Sequence, residues 1–163
     1  MKKNRLSSAV AALALAVVAM FAPQQASAQT GEKTLGVAGG FATYNNGGYA
    51  DIYFQYTFAP HFRIAPEVGY IFRAEGCSGF ETSVDLHFPF RIARGFGIYP
   101  LAGLTFNNWT YKGDGHLSRF GGDFGLGFDF YLTQNFKLSV QGKYSLLNDT
   151  GGGFFNVGFG YVF

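Results

Sequence analysis

Apolar and polar residues alternate with a period of two along most of the chain after residue 29, and no long stretch shows the periodicity of a helix. Successive side chains of a β-strand point to opposite faces, so the alternation predicts strands with one apolar and one polar face. Breaks rich in Gly, Asn, Asp and Pro separate these runs. The pattern predicts eight strands, at 33–43, 48–58, 61–73, 79–90, 94–110, 117–132, 135–147 and 153–163.

The breaks between the predicted strands alternate in length, which is typical of an up-and-down arrangement. Tight turns are expected at 59–60, 91–95 and 133–135. Gly-rich loops that are a little longer, though none is long, are expected at 44–48, 74–79, 112–116 and 148–153. Because the number of strands is even, both chain termini are expected at the end of the tight turns.

The polar face carries ionisable side chains at regular intervals. In the fourth predicted strand, Glu81, Asp85 and His87 lie on one face, whereas Phe80 and Leu86 lie on the other. The other predicted strands repeat this arrangement. The ionisable residues that the alternation assigns to the polar face are Asp51, Arg63, Glu67, Arg73, Glu81, Asp85, His87, Arg119, Asp123, Asp129, Lys137 and Lys143.

The volume of the apolar residues decides which face points inward. An eight-stranded barrel has room inside for filling side chains or one small ligand, and the apolar face carries far too many large residues for that space. If the polar face points inward, its acidic and basic groups can pair, and the apolar face meets lipid. Charged residues make up 13% of the chain and aromatic residues 19%, against roughly 25% charged residues in soluble domains. The sequence therefore predicts an all-β fold, an eight-stranded antiparallel up-and-down transmembrane β-barrel.

Aromatic residues and prolines refine this prediction. Tyr and Phe cluster at both ends of the apolar rows, which predicts two aromatic girdles. Glycines on the inward face would relieve crowding where the strands converge. Pro66 and Pro100 fall within predicted strands. Because a proline removes a hydrogen bond of the ladder, we expect a local bulge at each.

The first residues have the three-part order of a secretory signal peptide. A basic start, KKNR, precedes an apolar run, and ASA at 26–28 supplies the small residues of a cleavage site. The apolar run is shorter than the about 20 residues that a membrane-spanning helix needs. We therefore expect a signal peptide at 1–28 and one barrel domain at 29–163. The remaining chain is nearly neutral, which gives no indication of nucleic-acid binding.

The C-terminal strand, FNVGFGYVF, ends with a polar residue, a glycine and alternating hydrophobic residues: Asn156, Gly158, Tyr161 and Phe163. With this strand and YPLAGLTF at 99–106, the chain resembles the small OmpA/OmpX-like outer-membrane barrels of Gram-negative bacteria. The resemblance implies an outer-membrane location with both termini in the periplasm, and an assembly signal at those four C-terminal residues. It implies a class and an assembly route rather than an activity.

Glu81, Asp85 and His87 could hold a metal ion or act as an acid–base set. Glu81 and His87, however, lie roughly 20 Å apart along a strand, so they cannot share one ion without help from other strands. A structural network of ion pairs in the lumen is the preferred interpretation, with no metal site.

The sequence D-x-H-x-S, formed by Asp114, His116 and Ser118 at a loop edge, suggests nucleophilic hydrolysis. The His-x-Ser pair is similar to that of lipid A deacylase barrels, but Arg119 follows Ser118 where that family has Asn, and the family's later Glu is absent. A polar external loop is the preferred interpretation.

Three other side chains near the predicted loops were considered. Trp109 and Tyr111 could form a shelf for a sugar or lipid, although such residues more often anchor a barrel at the headgroup level. Cys77 is the only cysteine, which excludes a disulfide framework. It is expected to be a free thiol in an external loop.

The first functional hypothesis is a non-enzymatic integral outer-membrane protein with a side-chain-filled polar lumen and a structural or surface-interaction role. It would be a monomer without cofactor, in contact with outer-membrane lipids and lipopolysaccharide. During biogenesis its partners would be periplasmic chaperones and the barrel-assembly machinery. One alternative is a lipid A-modifying hydrolase that uses His116 and Ser118, and another is a narrow pore or small-molecule transporter.

Overall fold

The computed structural model describes residues 30–111, 115–148 and 150–163, so the predicted signal peptide lies outside the described residues. No helix in these three ranges is long and apolar enough to cross a membrane. The described strands follow the predicted runs closely. They are β1 (Lys33–Ala42), β2 (Gly47–Ala59), β3 (Phe62–Ala74), β4 (Cys77–His87), β5 (Phe90–Ala93), β6 (Phe96–Tyr111), β7 (His116–Tyr131), β8 (Phe136–Leu147) and β9 (Thr150–Val162).

The strands form one closed antiparallel sheet, because β1 pairs with both β2 and β9, and β4 pairs with β6. Strands β4 and β5 occupy one position in the ring. Both pair with β6 in a continuous register, from His87↔Leu101 to Phe90↔Ile98. The ring therefore has eight positions, and the predicted eight-stranded barrel is confirmed.

The connections are short at both ends of the barrel, which agrees with the prediction that no loop is long, but those at the two ends do not differ consistently in length. At the end that holds both termini, called here the turn end, the strands are joined at 60–61, 94–95 and 132–135. At the opposite end, called here the loop end, they are joined at 43–46, 75–76, 112–115 and 148–149. Strands β3, β4 and β9 extend further toward the loop end than the turn residues suggested, which shortens two of the expected loops.

The two faces of the sheet separate as the alternation predicts. On the outer face, Ile52 is 61% exposed and Leu104 is 59% exposed, whereas the inward-facing Arg63 and Lys137 are 0% exposed. The outward aromatic rings contact each other near both ends, as in the pairs Phe62–Phe88 and Tyr70–Phe80. An exposed apolar band around a buried polar interior is the arrangement that a bilayer requires.

The prediction of a bulge at each internal proline is wrong. Pro66 and Pro100 stay in register with Val84 and Leu126 on neighbouring strands. What the prolines remove is pairing: the ladder between β2 and β3 lacks rungs next to Pro66, and the break between β4 and β5 lies opposite Pro100. The register shifts lie instead at Thr57/Ala59, Ile71/Ala74 and Arg91/Ala93, near strand ends. A missing donor can thus be absorbed by an interrupted ladder without an inserted residue.

Candidate functional site

The lumen is the candidate site because it concentrates the ionisable side chains of the barrel. Most of the residues that the sequence assigned to the polar face are buried there. They are Asp51, Arg63, Glu67, Glu81, Asp85, His87, Asp123, Asp129, Lys137 and Lys143. Apart from Asp51, which accepts a hydrogen bond from Asn156, these side chains form two separate clusters.

Arg73 and Arg119 were assigned to the same interior, but the structure places them at the loop-end rim. Arg73 is exposed because it lies beyond the last regular rungs of β3, which end at Ile71 on both neighbouring strands. Arg119 is half-buried because β8 pairs with β7 only from Gly121 onward. Alternation gives the direction of a side chain but not the height at which the barrel wall ends.

The first cluster lies near the turn end and is centred on Asp129. The Asp129 carboxylate accepts from the Arg63 guanidinium at 2.6 Å and from the Ser139 hydroxyl at 2.7 Å, and it lies 3.8 Å from Lys137 Nζ. Lys137 Nζ also lies 3.5 Å from the Glu32 carboxylate. This turn-end cluster has two cations, Arg63 and Lys137, and two carboxylates, Asp129 and Glu32, so its formal charges balance.

Aromatic rings hold the turn-end cluster in place. The Arg63 guanidinium lies over the Tyr99 ring at 4.5 Å, and the His87 ring stacks on Tyr99 with the same centroid separation, 4.5 Å. Arg63 Nε donates to His87 Nδ1 at 3.2 Å. Tyr131 donates its hydroxyl hydrogen to Glu32 at 2.9 Å. His87 therefore acts as an acceptor within a packed ion-pair network.

The second cluster surrounds Lys143 in the half of the lumen nearer the loop end. Its Nζ donates to Glu67 and lies 2.8 Å from Glu81, 3.5 Å from Asp123 and 3.8 Å from Asp85. This loop-end cluster has one cation and four carboxylates, which come from strands β3, β4 and β7. Of the predicted set of Glu81, Asp85 and His87, the structure brings the two carboxylates together and separates them from the histidine.

Between the two clusters lies a cavity of about 10 Å³, lined by Tyr53, Gln55, Glu67, His87 and Gln141 among others. Such a volume holds about one water molecule. At the turn end a wider mouth of about 200 Å³ opens beside His61, Arg91 and Tyr131. The lumen is therefore filled by side chains along its middle.

An aromatic cap closes the lumen above the loop-end cluster. It consists of Ala42, Tyr44, Tyr49, Ile71, Cys77, Trp109 and Phe154. The Tyr44 ring contacts Trp109 at 5.4 Å and Phe154 at 5.3 Å. Burial raises the pKa of the Tyr44 phenol, in the loop before β2, so this group stays neutral and donates to the Ser145 carbonyl at 3.2 Å. Trp109, considered as a stacking shelf or headgroup anchor, is instead an inward-facing cap residue, whereas Tyr111 is exposed.

Glycines provide the space for the rings inside the barrel. A Cβ on Gly69 would overlap the Tyr49 ring, and one on Gly127 would overlap the Tyr99 ring. Tyr53 is accommodated by glycines on β1 and β9 in the same way. These inward glycines thus do more than relieve crowding, because each of them leaves a hollow that an aromatic side chain fills.

Several lumen residues were not predicted from the sequence, among them Glu32, Tyr99 and Tyr131. Tyr131 lies on the same alternation as the charged residues of β7, and Tyr99 on that of the buried polar residues of β6, so the period of two could have identified them. Glu32 precedes the first predicted strand, and no periodic signal points to it. Only closure of the barrel brings it beside Lys137.

His116 and Ser118 lie on the outward face of β7 at the loop end, and Asp114 lies outside the described residues. The His116 and Ser118 side chains contact β6 rather than each other. Asn108 Nδ2 donates to Ser118 Oγ at 3.1 Å, and Thr110 Oγ1 lies 3.4 Å from His116 Nδ1. This geometry lacks the nucleophile–base hydrogen bond that a hydrolase of this type uses.

The predicted assembly-signal residues divide between the two faces of β9. Asn156 is buried and donates to Asp51 at 3.1 Å, and Gly158 lies against the Tyr53 ring. Tyr161 and Phe163 are exposed and stack on each other.

Cys77 is a half-buried free thiol at the start of β4. In the described ranges, no group of three or more His, Cys, Asp or Glu side chains is arranged to hold a metal ion.

Comparison with known proteins gives a family and a fold. The family model described as the outer membrane protein beta-barrel domain matches residues 12–163. No curated protein sequence matches the chain.

Several solved structures share the fold. The N-terminal β-barrel domain of Pseudomonas aeruginosa OprF is 19% identical with a TM-score of 0.72, over 82% of this chain and 98% of that one. Ail, the attachment invasion locus protein of Yersinia pestis, is 21% identical with a TM-score of 0.61, over 83% and 100%. The outer membrane enzyme PagL is 11% identical with a TM-score of 0.53, over 78% and 97%. At these identities the likeness concerns the fold alone.

Proposed function

We propose, because the chain belongs to the outer membrane protein β-barrel domain family, that it is a non-enzymatic integral protein of the bacterial outer membrane with a structural or surface-contact role. The observation that carries this proposal is the filled lumen. Two ion-pair clusters, a cavity of about 10 Å³ and an aromatic cap occupy the axis of the barrel. A barrel filled in this way contributes a rigid membrane-spanning wall rather than a path for solutes.

The connections limit what the surface can recognise. The loop-end connections are two to four residues long, as given by the strand bounds. They offer little area for a specific protein partner, since a standard interface takes roughly 800 Å² from each side. The larger available surface is the apolar band, whose natural contacts are membrane lipids. A structural role within the membrane therefore accounts for more of the molecule than an adhesive role does.

Orientation and assembly follow as parts of the same proposal. The turn end, with both termini, would face the periplasm, and the loop end would face outward with lipopolysaccharide around its girdle. Asn156, Gly158, Tyr161 and Phe163 would form the segment that the barrel-assembly machinery reads after delivery by periplasmic chaperones. The exposed pair Tyr161 and Phe163 supports this role, because these rings are accessible on the outer face of the closing strand. The protein would act as a monomer.

Single-channel recording in planar bilayers tests the filled lumen. The wild-type protein is expected to insert without discrete conductance steps. A cap variant, Tyr44→Ala with Trp109→Ala, serves as the matched control, because removing two rings from the loop-end cap should allow a measurable leak. Conductance steps in the wild-type protein comparable with those of the cap variant would contradict the proposal and favour the narrow-pore alternative.

The structural role is tested in cells. A strain that lacks the protein is expected to become more sensitive to detergent and to release more membrane vesicles, and expression of the wild-type chain should restore both properties. The folded form should migrate faster than the boiled form on a gel of the outer-membrane fraction. An unchanged envelope in the deletion strain would contradict the structural role.

The hydrolase alternative has one observation in its favour, since His116 and Ser118 share the outward face at the loop end. The hydrogen bonds of both side chains to β6 weigh against it. Purified protein is expected to leave lipid A acylation unchanged, as measured by mass spectrometry. Deacylation that disappears in Ser118→Ala and persists in Ser139→Ala, a lumen serine, would establish the enzyme and overturn the proposal.

A further inference from the structure

The loop-end cluster has an imbalance of charge that its own residues do not correct. Lys143 is the one cation of the described residues within ion-pair distance of Glu67, Glu81, Asp85 and Asp123. The four carboxylates are each 0–6% exposed. If all four were ionised, the cluster would carry three negative charges in excess of its ammonium group. An uncompensated buried charge is strongly destabilising, so this state cannot be the folded one.

Among the described residues, no neighbouring strand brings a further cation within ion-pair distance of these carboxylates. Arg119, on the inward alternation of β7 and opposite Asn107, is half-buried at the loop-end rim and pairs with none of them. Strand β2 adds another carboxylate, Asp51, which accepts a hydrogen bond from Asn156 of β9. The described groups that β6 and β9 place beside the cluster are neutral, as in Asn107 and Phe154. The cations of the other half are already paired, because Arg63 contacts Asp129 and Lys137 lies between Asp129 and Glu32.

Unpartnered acceptors point to the nature of the missing charge. Asn107 is 0% exposed and lies directly opposite Glu81 in the register of β4 and β6. Both the oxygen and the nitrogen of its side-chain amide lack a hydrogen-bond partner, and both oxygens of Asp85 and of Asp123 lack a hydrogen-bond donor. An ionised carboxylate can only accept hydrogen bonds, whereas a protonated carboxyl group donates one. A proton on Glu81 would therefore supply a donor where Asn107 lacks one.

A metal ion would need the centre of the four carboxylates, and Lys143 Nζ already occupies that place. Glu67 receives both the ammonium group and the Ser83 hydroxyl, which stabilise its ionised form. Glu81, Asp85 and Asp123 share the Lys143 ammonium group with Glu67. The additional positive charge must therefore sit on carboxylate oxygens rather than between them.

We infer that the loop-end cluster is a proton-binding site, in which Glu81, Asp85 and Asp123 together hold about three protons at neutral pH while Glu67 stays ionised beside Lys143. Each proton comes from bulk water during folding, forms an O–H bond with a carboxylate oxygen and neutralises one negative charge. No electron is transferred. Unfolded carboxyl groups are ionised at neutral pH, so the folded barrel binds more protons than the unfolded chain.

This difference in bound protons fixes the sign of a pH effect. Where the folded state binds more protons, the free energy of unfolding falls as the pH rises. Alkaline conditions would remove the protons and place repelling carboxylates directly beneath the aromatic cap. The cap and the loop end should then loosen before the balanced turn-end cluster does.

Proton uptake during folding tests the inference directly. The protein is refolded from urea into detergent micelles in a weakly buffered solution at about pH 7.5, and a pH indicator reports the protons taken up per chain. Uptake of about three protons is expected for the wild-type chain, one for each carboxyl group other than Glu67. The triple variant Glu81→Gln, Asp85→Asn, Asp123→Asn should take up almost none, because amides replace the carboxyl groups with little change in shape. Heat-modifiable gel migration verifies that each sample has folded.

Two controls make the result decisive. Arg73→Ala, outside both clusters, should take up as many protons as the wild-type chain. Infrared spectra should show protonated carboxyl bands in the folded wild-type barrel that disappear in the triple variant, a comparison that also stands if refolding yields differ. Absence of uptake, or equal uptake by the triple variant, would overturn the inference. Stability that depends on added sodium, potassium or calcium in place of proton uptake would also overturn it, by assigning the charge to a metal ion.

Discussion

The turn-end cluster has two cations and two carboxylates, whereas the loop-end cluster has one cation and four carboxylates. Both are enclosed by the same eight-position ring, and both lie against aromatic rings. In the turn-end cluster Asp129 has direct partners on both oxygens, Arg63 on one and Ser139 on the other. In the loop-end cluster several carboxylate oxygens have none. Charge is therefore accommodated in one lumen in two ways. The turn-end cluster pairs its charges, and the loop-end cluster takes up protons.

Pairing of charges in the turn-end cluster predicts that Asp129→Asn causes the largest loss in the free energy of unfolding. The change leaves Arg63 and Lys137 with only Glu32, and breaking a buried pair from one side costs about 3–5 kcal/mol. We expect a loss of that size in the free energy of unfolding by urea in micelles. Asp123→Asn is the matched control from the other half, and it should cost little because a neutral amide replaces a carboxyl group that is protonated at neutral pH. Equal losses for the two variants would show that the clusters do not differ in balance.

Lys143→Met should have the next largest effect, and its size should depend on pH. The change leaves four carboxylates without their cation, at a cost of about 2–4 kcal/mol near pH 8. Protons can replace the ammonium group as the pH falls, so the loss should shrink near about pH 5. Urea titrations at both pH values check this. Lys137→Met, in the balanced cluster, should show no such recovery, and a parallel recovery would argue against a special loop-end site.

The sequence could predict which side chains face the lumen but not which of them meet. Alternation alone assigns Lys137 and Lys143 to the same face of the same strand. Their partners come from other strands, however, and Lys143 and Glu67 are separated by 76 positions in the chain. That contact depends on the register of every ladder around the closed ring. The pattern within one strand does not show how that strand is aligned with all the others around the ring. For this reason the sequence could not predict that Asp85 joins the loop-end cluster and His87 the turn-end cluster.

Other differences between sequence and structure have local causes. Trp109 was considered at the membrane boundary, but β6 places it on the inward alternation, where a cap of rings needed a large apolar side chain. Glu32 could not be predicted because it precedes the periodic region. The prolines were expected to shift the register, yet the neighbouring ladders hold the strands in place and only individual rungs are lost. The fold class can thus be predicted from the periodicity of the sequence, whereas the contacts within the site form only when the barrel closes.

Glycine substitutions compare how tightly the two halves are packed. A Cβ on Gly127 would displace the Tyr99 ring that supports Arg63, and a Cβ on Gly69 would displace Tyr49 in the cap. Overpacking of this kind costs about 1–3 kcal/mol. We expect Gly127→Ala to be the more damaging, because moving Tyr99 also disturbs the contact with His87. Urea unfolding measures both, and Gly39→Ala, where the added carbon meets only ordinary contacts, is the control.

Arg73→Ala should have the smallest effect, since its side chain is exposed beyond the last regular rungs of β3 and belongs to neither cluster. Surface substitutions of this kind usually change stability by less than about 0.5 kcal/mol. Urea unfolding should place the variant within that range of the wild-type protein, at both neutral and alkaline pH. A substantial loss would mean that Arg73 turns inward in the membrane and supplies positive charge to the carboxylates around Lys143. In that case the loop-end cluster would be balanced by pairing after all, and the contrast between the two halves of the lumen would disappear.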